Sequence, residues 1–331
     1  MLPQQFTPPA QAVLADSELA PRLAVLIPCF NEAFSIGQVV REFRTALPKA
    51  VIYVYDNNST DCTKARAAEA GAEVRGETLP GKGNVVRRMF ADVEADIYVM
   101  VDGDGTYAAS QAPLLVKALV DERLDLVNGL RLDESRGAYR FGHRFGNWAL
   151  TTIVRAIFGK RFIDMLSGYK VFSRRFVKSF PGLTRGFDIE AELTIHALEL
   201  DMPVAELPVS YRERPNESLS KLKTIRDGTH ILWTIVRLIR AERPLPFFGG
   251  LCALLSAISV LLAVPILITY FHTGLVPRLP TAILATGIML LAFLCLFSGV
   301  ILETVTRGRR EAKRMAYLSI PAIEAGEKIR D

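Results

Sequence analysis

The sequence predicts an α/β domain with a doubly wound, mostly parallel sheet, followed by an amphipathic helix and two C-terminal transmembrane helices. Two observations lead to this prediction. Short β-branched runs alternate with helical stretches in the N-terminal two thirds of the chain, which is typical of strands joined by crossover helices. Two apolar runs of about 20 residues lie near the chain end, and a helix of that length crosses a hydrocarbon core. Half of the 331 residues are hydrophobic, so the chain can fill a core and still supply both runs.

The predicted sheet begins with four strands that are each followed by a polar cluster or a helix. In such a sheet, ligands bind beyond the carboxyl ends of the strands. We therefore expect the polar clusters at residues 28–32, 56–61 and 102–106 to form one site. Predicted strands cover residues 23–27, 51–55, a weaker segment near Val74 and 97–101, and predicted helices cover residues 36–46, 63–70 and 85–93.

The two apolar runs cover residues 247–271 and 282–302 and contain no Lys, Arg, Asp or Glu. Helices buried in a soluble core are the alternative, but two runs joined by a short link at the chain end favour membrane spans. Basic residues flank the pair, whereas the link at 272–280 holds one arginine, so we expect both flanks in the cytoplasm. The flanking basic residues are Arg237, Arg240 and Arg243 before the pair, and Arg307, Arg309, Arg310, Lys313 and Arg314 after it.

These patterns divide the chain into five predicted segments. No signal peptide is legible in the N-terminal extension, so we expect the α/β domain and both termini in the cytoplasm, at a bacterial inner membrane. Residues 221–244 are amphipathic, which suits a helix that lies in the membrane interface. An ordinary surface helix is equally compatible with their pattern. The segments are the extension at 1–21, the α/β domain at 22–220, the amphipathic helix at 221–244, the two spans at 245–306 and a tail at 307–331.

Asp102-Gly103-Asp104 follows directly on the strand predicted at residues 97–101. Two carboxylates one residue apart, with a glycine that permits a tight bend, can hold a hard divalent cation and leave positions for phosphate oxygens. The same pattern occurs in turns that bind no metal, but its place at a strand end favours a site. We therefore predict that Asp102 and Asp104 bind Mg²⁺ or Mn²⁺. Because such a carboxylate adds little to the core, we expect the Asp104→Ala variant to fold normally.

Further candidate ligand-binding residues lie in neighbouring loops. Asp56 ends a strand and can accept hydrogen bonds from a nucleobase or ribose. Glu32 and Asn31 can do the same, although Asn31 also suits a turn, and Asp61 is expected mainly to cap the following helix. Lys82 stands in a glycine-rich segment that precedes a helix and suits phosphate contact. That segment lacks the spacing of a Walker A loop, which disfavours a kinase or an ATPase.

Composition disfavours several other classes of protein. The four cysteines, at positions 29, 62, 252 and 295, lack the spacing of a zinc site and are expected to be reduced. No Ser-His-Asp or His-Glu-x-x-His pattern is legible among the four histidines. The net charge of +5 is concentrated beside the apolar runs, which favours anionic headgroups and lipid phosphate over nucleic acid.

Nine short motifs occur in a specific order along the chain. They lie at residues 27–32 (Ile-Pro-Cys-Phe-Asn-Glu), 56–61, 81–84, 102–104, 128–131, 145–147, 164–170 (Asp-Met-Leu-Ser-Gly-Tyr-Lys), 186–192 and 211–222. Together they resemble the polyprenyl-phosphate glycosyltransferases of glycosyltransferase family 2, such as dolichyl-phosphate mannose synthases and bacterial undecaprenyl-phosphate glucosyltransferases. The resemblance runs from about residue 23 to residue 223. It implies a GT-A fold and an inverting transfer of a hexose from a UDP- or GDP-linked donor to a polyprenyl phosphate.

The resemblance also implies roles for individual residues. Arg214, Ser220 and Lys221 form a basic cluster that the resemblance assigns to phosphate binding. Arg212 can take the role of Arg214, because the interval before Ser220 is longer than in the mannose synthases. The whole cluster can instead be a patch that binds lipid headgroups. The implied nucleotide-sugar set is Pro28, Phe30, Glu32, Asp56, Lys82, Asp102 and Gly103, the metal set is Asp102 and Asp104, the catalytic set is Asp104, Arg131, Arg214 and Lys221, and the acceptor-phosphate set is Arg131, Arg214, Ser220 and Lys221.

A phosphate acceptor agrees with the residue types at the predicted site. A phosphate monoester has a second pKa near 6 and is anionic at neutral pH, so its oxygen can attack without a dedicated base. The site then needs cations that bring two anionic groups together. If the reaction does use a base, Asp188 and Glu190 are the candidates. They can equally be residues that orient the arginines.

Two other functions are compatible with parts of the sequence. A processive polysaccharide synthase of the same superfamily usually has a Gln-x-x-Arg-Trp element and more spans, and neither is found. A non-catalytic, membrane-anchored nucleotide sensor is disfavoured by the intact Asp-x-Asp motif. The expected partners are a nucleotide sugar, a polyprenyl phosphate and the lipid bilayer. A homo-oligomer is also considered, although the spans lack a Gly-x-x-x-Gly element.

Overall fold

The computed structural model describes residues 21–133, 162–182, 189–212, 240 and 243–322. In these residues a seven-stranded sheet is covered by helices on both faces, and two long apolar helices follow. The strands are β1 (Leu23–Cys29), β2 (Val51–Asp56), β3 (Glu73–Gly76), β4 (Ile97–Met100), β5 (Leu126–Asp133), β6 (Lys170–Ser173) and β7 (Val204–Tyr211). The helices are α1 (Ile36–Ala46), α2 (Thr63–Glu69), α3 (Lys82–Asp92), α4 (Ala112–Asp121), α5 (Arg174–Ser179), α6 (Ile189–Glu199), α7 (Pro244–Thr273) and α8 (Leu279–Leu318).

The sheet has the order β3-β2-β1-β4-β6-β5-β7. Strands β1 to β4 are mutually parallel, β7 is parallel to β5, and β6 runs antiparallel to both β4 and β5. The strand order reverses between β1 and β4, and crevices for ligands open at such switch points. The prediction of a doubly wound, mostly parallel sheet is confirmed.

Alternate side chains of β1 pack into two hydrophobic cores, one on each face of the sheet. Ala24 and Leu26 face the core under α3, α5 and α6. Val25 and Ile27 face the core under α1, α2 and α4. Because both faces are covered, the central strands are nearly continuous hydrophobic runs, as expected for parallel strands. The two cores fix the strand ends from which the polar loops emerge.

Helices α7 and α8 form an antiparallel pair. The side chain of Ser259 donates a hydrogen bond to the carbonyl of Ala285, at 2.7 Å, and Gly299 lies against Phe248 near the start of α7. On α8 the buried residues recur every seven positions and are all small, which lets the two helices approach closely. They are Ala285, Ala292, Gly299 and Thr306.

Both helices are long and apolar enough to cross a membrane. Their most apolar windows have mean hydropathies of 2.7 and 2.4, and only 11% and 17% of these windows are buried. The predicted amphipathic helix at 221–244 falls mostly outside the described residues. Residues 307–318, which the sequence analysis placed in a tail, continue helix α8.

Candidate active site

The polar clusters that follow β1, β2 and β4 meet at one edge of the sheet. These strands are adjacent and parallel, with Cys29 paired to Asp56 and Leu26 paired to Met100. Their carboxyl ends therefore open on the same side, at the point where the strand order reverses. This edge, called the site edge below, brings the three predicted clusters together.

The loops after β1 and β2 are joined by hydrogen bonds. Asn31 adopts a left-handed backbone conformation, with φ of 54°, and its N–H donates to the hydroxyl of Ser59 at 2.8 Å. The N–H of Glu32 donates to the hydroxyl of Thr63 at 2.9 Å. Asp61 accepts from the N–H of Thr63 at 3.0 Å, at the start of α2. Asn31 and Asp61 thus hold the two loops in shape, and Glu32 lies between them with 9% exposure.

Asp56 has one carboxylate oxygen that is bound by the protein and one that is not. Its side chain is fully buried; Oδ2 accepts from the N–H of Ser59 at 3.0 Å and lies 3.3 Å from the ammonium of Lys64. Oδ1 is buried and has no hydrogen-bond partner in the described part of the chain. A buried acceptor without a partner costs about 1–3 kcal/mol. Oδ1 is therefore well suited to accept a hydrogen bond from a ligand N–H.

Asn57 holds the loop that leads into α3. Its amide nitrogen donates to the carbonyls of Glu77 and Leu79, at 2.9 and 2.8 Å, and its amide oxygen accepts from the N–H of Gly81 at 2.7 Å. Gly81 has a φ of 118°, which only glycine adopts without strain. Helix α3 begins at the next residue, so Asn57 and Gly81 fix the position of Lys82.

The ammonium of Lys82 bridges two carboxylates. It donates to Oδ1 of Asp102 at 2.5 Å and to Oε1 of Glu190 at the start of α6. Burial alone would lower the pKa of Lys82, but the two carboxylates raise it above its usual value. Burial, together with the nearby Asp104 and Glu190, raises the pKa of Asp102. Lys82 thus bridges Asp102 and Glu190, Asp104 adds a third negative charge near Asp102, and the excess of negative charge favours a further cation.

Asp104 is buried, with 4% exposure. Its Oδ1 accepts from the N–H and the hydroxyl of Thr106, at 3.1 and 2.7 Å. Gly103 packs so closely against the thiol of Cys29 that a Cβ would lie 2.5 Å from Sγ. The Asp102-Gly103-Asp104 segment is therefore a tightly packed turn with its two carboxylates held at the site edge.

These carboxylates fit a cation that is shared with an anionic ligand. Among the described residues, no three His, Cys, Asp or Glu side chains converge in a metal-binding arrangement. Asp102 and Asp104 would therefore supply the protein oxygens, and ligand and water the others, as is usual for Mg²⁺. Gly168 leaves the room that Asp102 needs, because a Cβ there would lie 2.2 Å from Oδ2. The hydroxyl of Tyr107 accepts from the N–H of Gly168 at 2.9 Å and holds it there.

Arg131 is held by a carboxylate. Its Nε and Nη2 donate to the two oxygens of Asp164, at 2.6 and 2.8 Å, and its guanidinium lies 5.5 Å from the ring centre of Tyr211. Burial alone would raise the pKa of Asp164, but the hydrogen bonds and charge of Arg131 lower it below its usual value. The geometry of the guanidinium is thus fixed before any ligand binds.

Lys170 lies fully buried beneath these charged groups. Its ammonium donates to Oδ1 of Asn128 at 2.5 Å, to the hydroxyl of Thr194 at 3.2 Å and to the carbonyl of Met165 at 3.4 Å. Burial lowers its pKa to about 8, against the opposing charges of Asp164, Glu190 and Glu206. Asn128 also donates to the carbonyl of Asp164 at 2.7 Å. Lys170 thus joins the strand that carries Arg131 to the helix that carries Glu190.

The other predicted site residues are placed as follows. Pro28 is half-buried in β1, and Phe30 is 43% exposed at the site edge. The N–H of Arg212 donates to the carbonyl of Thr106 at 2.9 Å, which brings the end of β7 beside the Asp102–Asp104 turn. Four residues lie outside the described part of the chain and stay predictions: Asp188, Arg214, Ser220 and Lys221.

Four residues that shape this site had no predicted role, although each belongs to one of the nine motifs: Asn57, Asp164, Gly168 and Lys170. Lys170 directly precedes Val171 and Phe172, and a lysine at the start of an apolar run is a signal that could have indicated a role. Their partners are distant in sequence, so the contacts themselves could not be predicted.

Comparisons with known proteins identify relatives of this chain. Residues 24–180 match the profile described as Glycosyl transferase family 2. Glycosyltransferase AglJ of Haloferax volcanii is 34% identical over 230 residues, which are 69% of this chain and 75% of that protein. The dolichyl-phosphate hexose transferase of the same organism is 27% identical over 221 residues, 67% of this chain and 95% of that protein.

A solved structure has a similar fold. It is glucosyl-3-phosphoglycerate synthase from Mycobacterium tuberculosis in complex with Mg²⁺ and uridine diphosphate. The TM-score is 0.55 at 25% sequence identity, and the match covers 65% of this chain and 79% of that chain. The α/β fold of this chain therefore has a counterpart in an enzyme whose structure was solved with uridine diphosphate and Mg²⁺.

Proposed function

This chain belongs to glycosyl transferase family 2 and is a glycosyltransferase, and we propose that it moves a hexose from a nucleoside diphosphate sugar to a polyprenyl phosphate at the membrane surface. The observation that carries the proposal is the Lys82 bridge between Asp102 and Glu190. It places a buried cation and a surplus of carboxylates at the site edge, in a chain that also has two apolar helices.

The loops after β1 and β2 suit the nucleoside of the donor. Oδ1 of Asp56 is buried without a partner in the described residues, and a nucleobase N–H would satisfy it. Pro28, Phe30 and Glu32 line the same edge and would contact the base and ribose. The complex of the similar synthase with uridine diphosphate supports a UDP-linked donor, and a GDP-linked donor is the alternative.

The diphosphate would lie between Lys82 and the Asp102–Asp104 turn. Mg²⁺ or Mn²⁺, when bound by Asp102 and Asp104, would neutralise charge on the diphosphate leaving group. Lys82 would then hold a diphosphate oxygen from the other side. Because Glu190 is itself bonded to Lys82, we assign it the orientation of that lysine and not the role of a base.

The transfer needs no proton removal. An oxygen of the acceptor phosphate bonds to the anomeric carbon as the bond from that carbon to the diphosphate breaks, and the nucleoside diphosphate leaves with the electron pair. A single displacement of this kind inverts the anomeric configuration. Arg131, fixed by Asp164, would hold the acceptor phosphate, with Arg214, Ser220 and Lys221 closing over it. Arg212 is the alternative to Arg214.

The acceptor and its location are proposed from two observations. A relative that this chain matches over 95% of its length is named dolichyl-phosphate hexose transferase, and helices α7 and α8 can cross a membrane. We place the α/β domain on the cytoplasmic side of a bacterial inner membrane because the basic residues flank the spans. The relatives named as transferases leave no support for a nucleotide sensor, and two apolar helices do not enclose a polymer channel.

Incubation of the full-length protein with radiolabelled UDP- or GDP-hexoses and undecaprenyl phosphate tests the proposal. We expect radioactivity in the organic phase, and its loss with EDTA or in the Asp102→Asn variant. Product in the aqueous phase with a phosphorylated soluble acceptor, such as a phosphoglycerate, would replace the lipid acceptor by a soluble one. No organic-extractable sugar from any donor would refute the proposal.

A further inference from the structure

Helix α8 continues beyond its apolar part and contacts the α/β domain. The apolar run ends at Leu302, and the helix continues to Leu318. Residues 303–318, called the brace below, extend for about 24 Å at 1.5 Å per residue. The brace is rich in cationic side chains, and it ends against one of the two cores, where Tyr317 packs.

The first contact joins Tyr317 to a buried aspartate. The hydroxyl of Tyr317 donates to Oδ2 of Asp125 at 2.8 Å, and the guanidinium of Arg175 lies 4.8 Å from the tyrosine ring centre. Arg175 also pairs with Asp125, whose side chain has no exposed surface. The tyrosine thus completes a buried, charged hydrogen-bond cluster in the α/β domain.

The second contact joins two cations of the brace to Glu199, the last residue of α6. Lys313 donates to Oε2 at 2.5 Å, and Nε of Arg310 lies 3.5 Å from Oε1. The Glu199 side chain is 1% exposed, and both of its ion pairs in the described part of the chain are with the brace. Removal of one partner from a buried ion pair is strongly destabilising. The contact is therefore specific and not incidental surface packing.

Both contacts lie at the edge of the sheet opposite the site edge. Asp125 directly precedes β5, and Ser173, to which it is bonded, pairs with Ile97 at the start of β4. The metal-binding turn follows the other end of β4. Helix α6 also runs from the site edge to the opposite edge: Glu190 near its start contacts Lys82, and Glu199 is its last residue. Glu190 and Glu199 are nine residues apart, which corresponds to about 13 Å along the helix.

We propose that the brace sets the orientation and the height of the α/β domain over the bilayer, with the site edge turned toward the membrane. The brace leaves the apolar part of α8 and binds the edge of the domain that is remote from the site. Tyr317 is about 22 Å along the helix from Leu302, which exceeds the length of α6 between site and brace. This length leaves room for the site edge between the brace contacts and the bilayer, where the acceptor phosphate of the proposed function is found. Lys313 and Tyr317 are positioning residues.

Fluorescence energy transfer measures the orientation without any turnover. Cys62 is exposed at the site edge and can carry a dye in the Cys252→Ala, Cys295→Ala background. The matched control is a dye at Glu122→Cys in the same background with Cys62→Ser, because Glu122 is exposed at the opposite edge, just beyond α4. In vesicles with acceptor dyes on the lipid headgroups, we expect stronger transfer from position 62 than from position 122. Equal or reversed efficiencies would overturn the proposal.

An insertion in the brace tests its height. Four alanines between Arg307 and Gly308 add about 6 Å and keep the contact face nearly in phase. We expect weaker energy transfer from position 62, and at least about a tenfold loss of transfer to undecaprenyl phosphate in vesicles. Turnover with a water-soluble short-chain prenyl phosphate and the affinity for the nucleoside diphosphate should stay within about twofold of the wild type.

Point variants separate positioning from stability. Tyr317→Ala combined with Lys313→Ala should give the same selective loss with the lipid in vesicles, whereas Met315→Ala, 70% exposed on the same helix, should not. An equal loss with both acceptors, or no loss, would overturn the proposal. If the wild-type protein transfers sugar to neither acceptor, the proposed function fails, and the energy-transfer comparison still decides whether the brace orients the domain.

Discussion

The ammonium of Lys82 lies 2.5 Å from Oδ1 of Asp102, the first carboxylate of the Asp102–Asp104 turn. The same ammonium contacts Glu190, so a lysine from α3 joins the end of β4 to the start of α6. Both partners are acidic and largely buried, and the position of the cation is therefore defined before a donor binds. Lys82 thus connects the Asp102–Asp104 turn to helix α6.

The Lys82→Gln variant should lose turnover by about a hundredfold or more, because a preorganised cation near a developing diphosphate charge contributes several kcal/mol to the transition state. It should also lose thermal stability, since Glu190 keeps its burial without its cation. Measurement of kcat/KM for the donor and of the unfolding midpoint checks both effects. Lys117→Gln, an exposed lysine on α4, is the charge-matched control and should change neither. A Lys82→Gln variant with wild-type kcat/KM would contradict the assignment.

The structure does not support the expectation that the Asp104→Ala variant folds normally. Asp104 is buried and accepts two hydrogen bonds from Thr106, so Asp104→Ala leaves two donors unsatisfied at a cost of about 1–3 kcal/mol each. Asp104→Asn keeps an oxygen acceptor and removes the charge. We expect Asp104→Asn to retain the wild-type unfolding midpoint and to lose metal-dependent turnover, and Asp104→Ala to lose both. Activity of Asp104→Asn at the wild-type Mg²⁺ requirement would exclude Asp104 from the metal site.

Nucleotide binding should depend on Oδ1 of Asp56, which has no partner among the described residues. Asp56→Asn places an amide at a position that needs an acceptor and removes the charge. We expect the affinity for the donor nucleotide to fall by about ten- to a hundredfold, in line with a charged hydrogen bond of about 1.5–3 kcal/mol. Calorimetric titration with UDP and GDP measures the change. Asp61→Asn is the control in the same loop, because both Asp61 oxygens accept from backbone N–H groups, so it should lower stability and leave affinity unchanged. Equal effects of the two substitutions would contradict the role of Asp56.

The parts of the fold that sequence reasoning predicted are those that depend on local pattern. The alternating strands and helices around residues 23–101 are local in sequence, and the carboxyl-edge rule then brings Glu32, Asp56 and Asp102 together. The pairing of Lys82 with Glu190 joins residues 108 positions apart, and no local signal indicates it. The brace was missed for the same reason. Its contacts with Asp125 and Glu199 link distant segments, and its charged residues alone are also typical of a flank beside a membrane span.

Gly168 should be intolerant of any side chain. A Cβ at this position would lie 2.2 Å from Oδ2 of Asp102 and 3.0 Å from Oδ1, so Gly168→Ala displaces the carboxylate from the turn. We expect a loss of turnover of about a hundredfold with a change in stability of about 1–3 kcal/mol. Gly37→Ala is the matched control, since its Cβ would meet ordinary contacts at 3.5 Å and beyond and alanine favours a helix. If Gly168→Ala retained full activity, Asp102 would not need its present position.

The buried ammonium of Lys170 predicts a pH dependence of stability. Its pKa is lowered to about 8 in the folded protein by burial, against about 10.4 in the unfolded chain. Between these values the unfolded chain binds more protons than the folded protein, so stability rises with pH. The cost of burying the charge is fully present below about pH 8 and is relieved as the pH rises toward about 10.4, by about 3 kcal/mol in total.

Lys170→Met removes this ionisation and keeps the length of the side chain. We expect the unfolding midpoint of the wild type, relative to Lys170→Met, to rise between about pH 8 and pH 10. The difference between the two proteins cancels the other groups that titrate in this range. The variant should also lose turnover at pH 7, because Asn128 and Thr194 lose the cation that joins them and Arg131 and Glu190 are then less firmly placed. Lys178→Met, which removes a half-buried ammonium from the carbonyls of Phe90 and Val93 and from the carboxylate of Glu94, controls for loss of a lysine. A midpoint difference that stayed constant with pH would show that Lys170 titrates at its ordinary pKa.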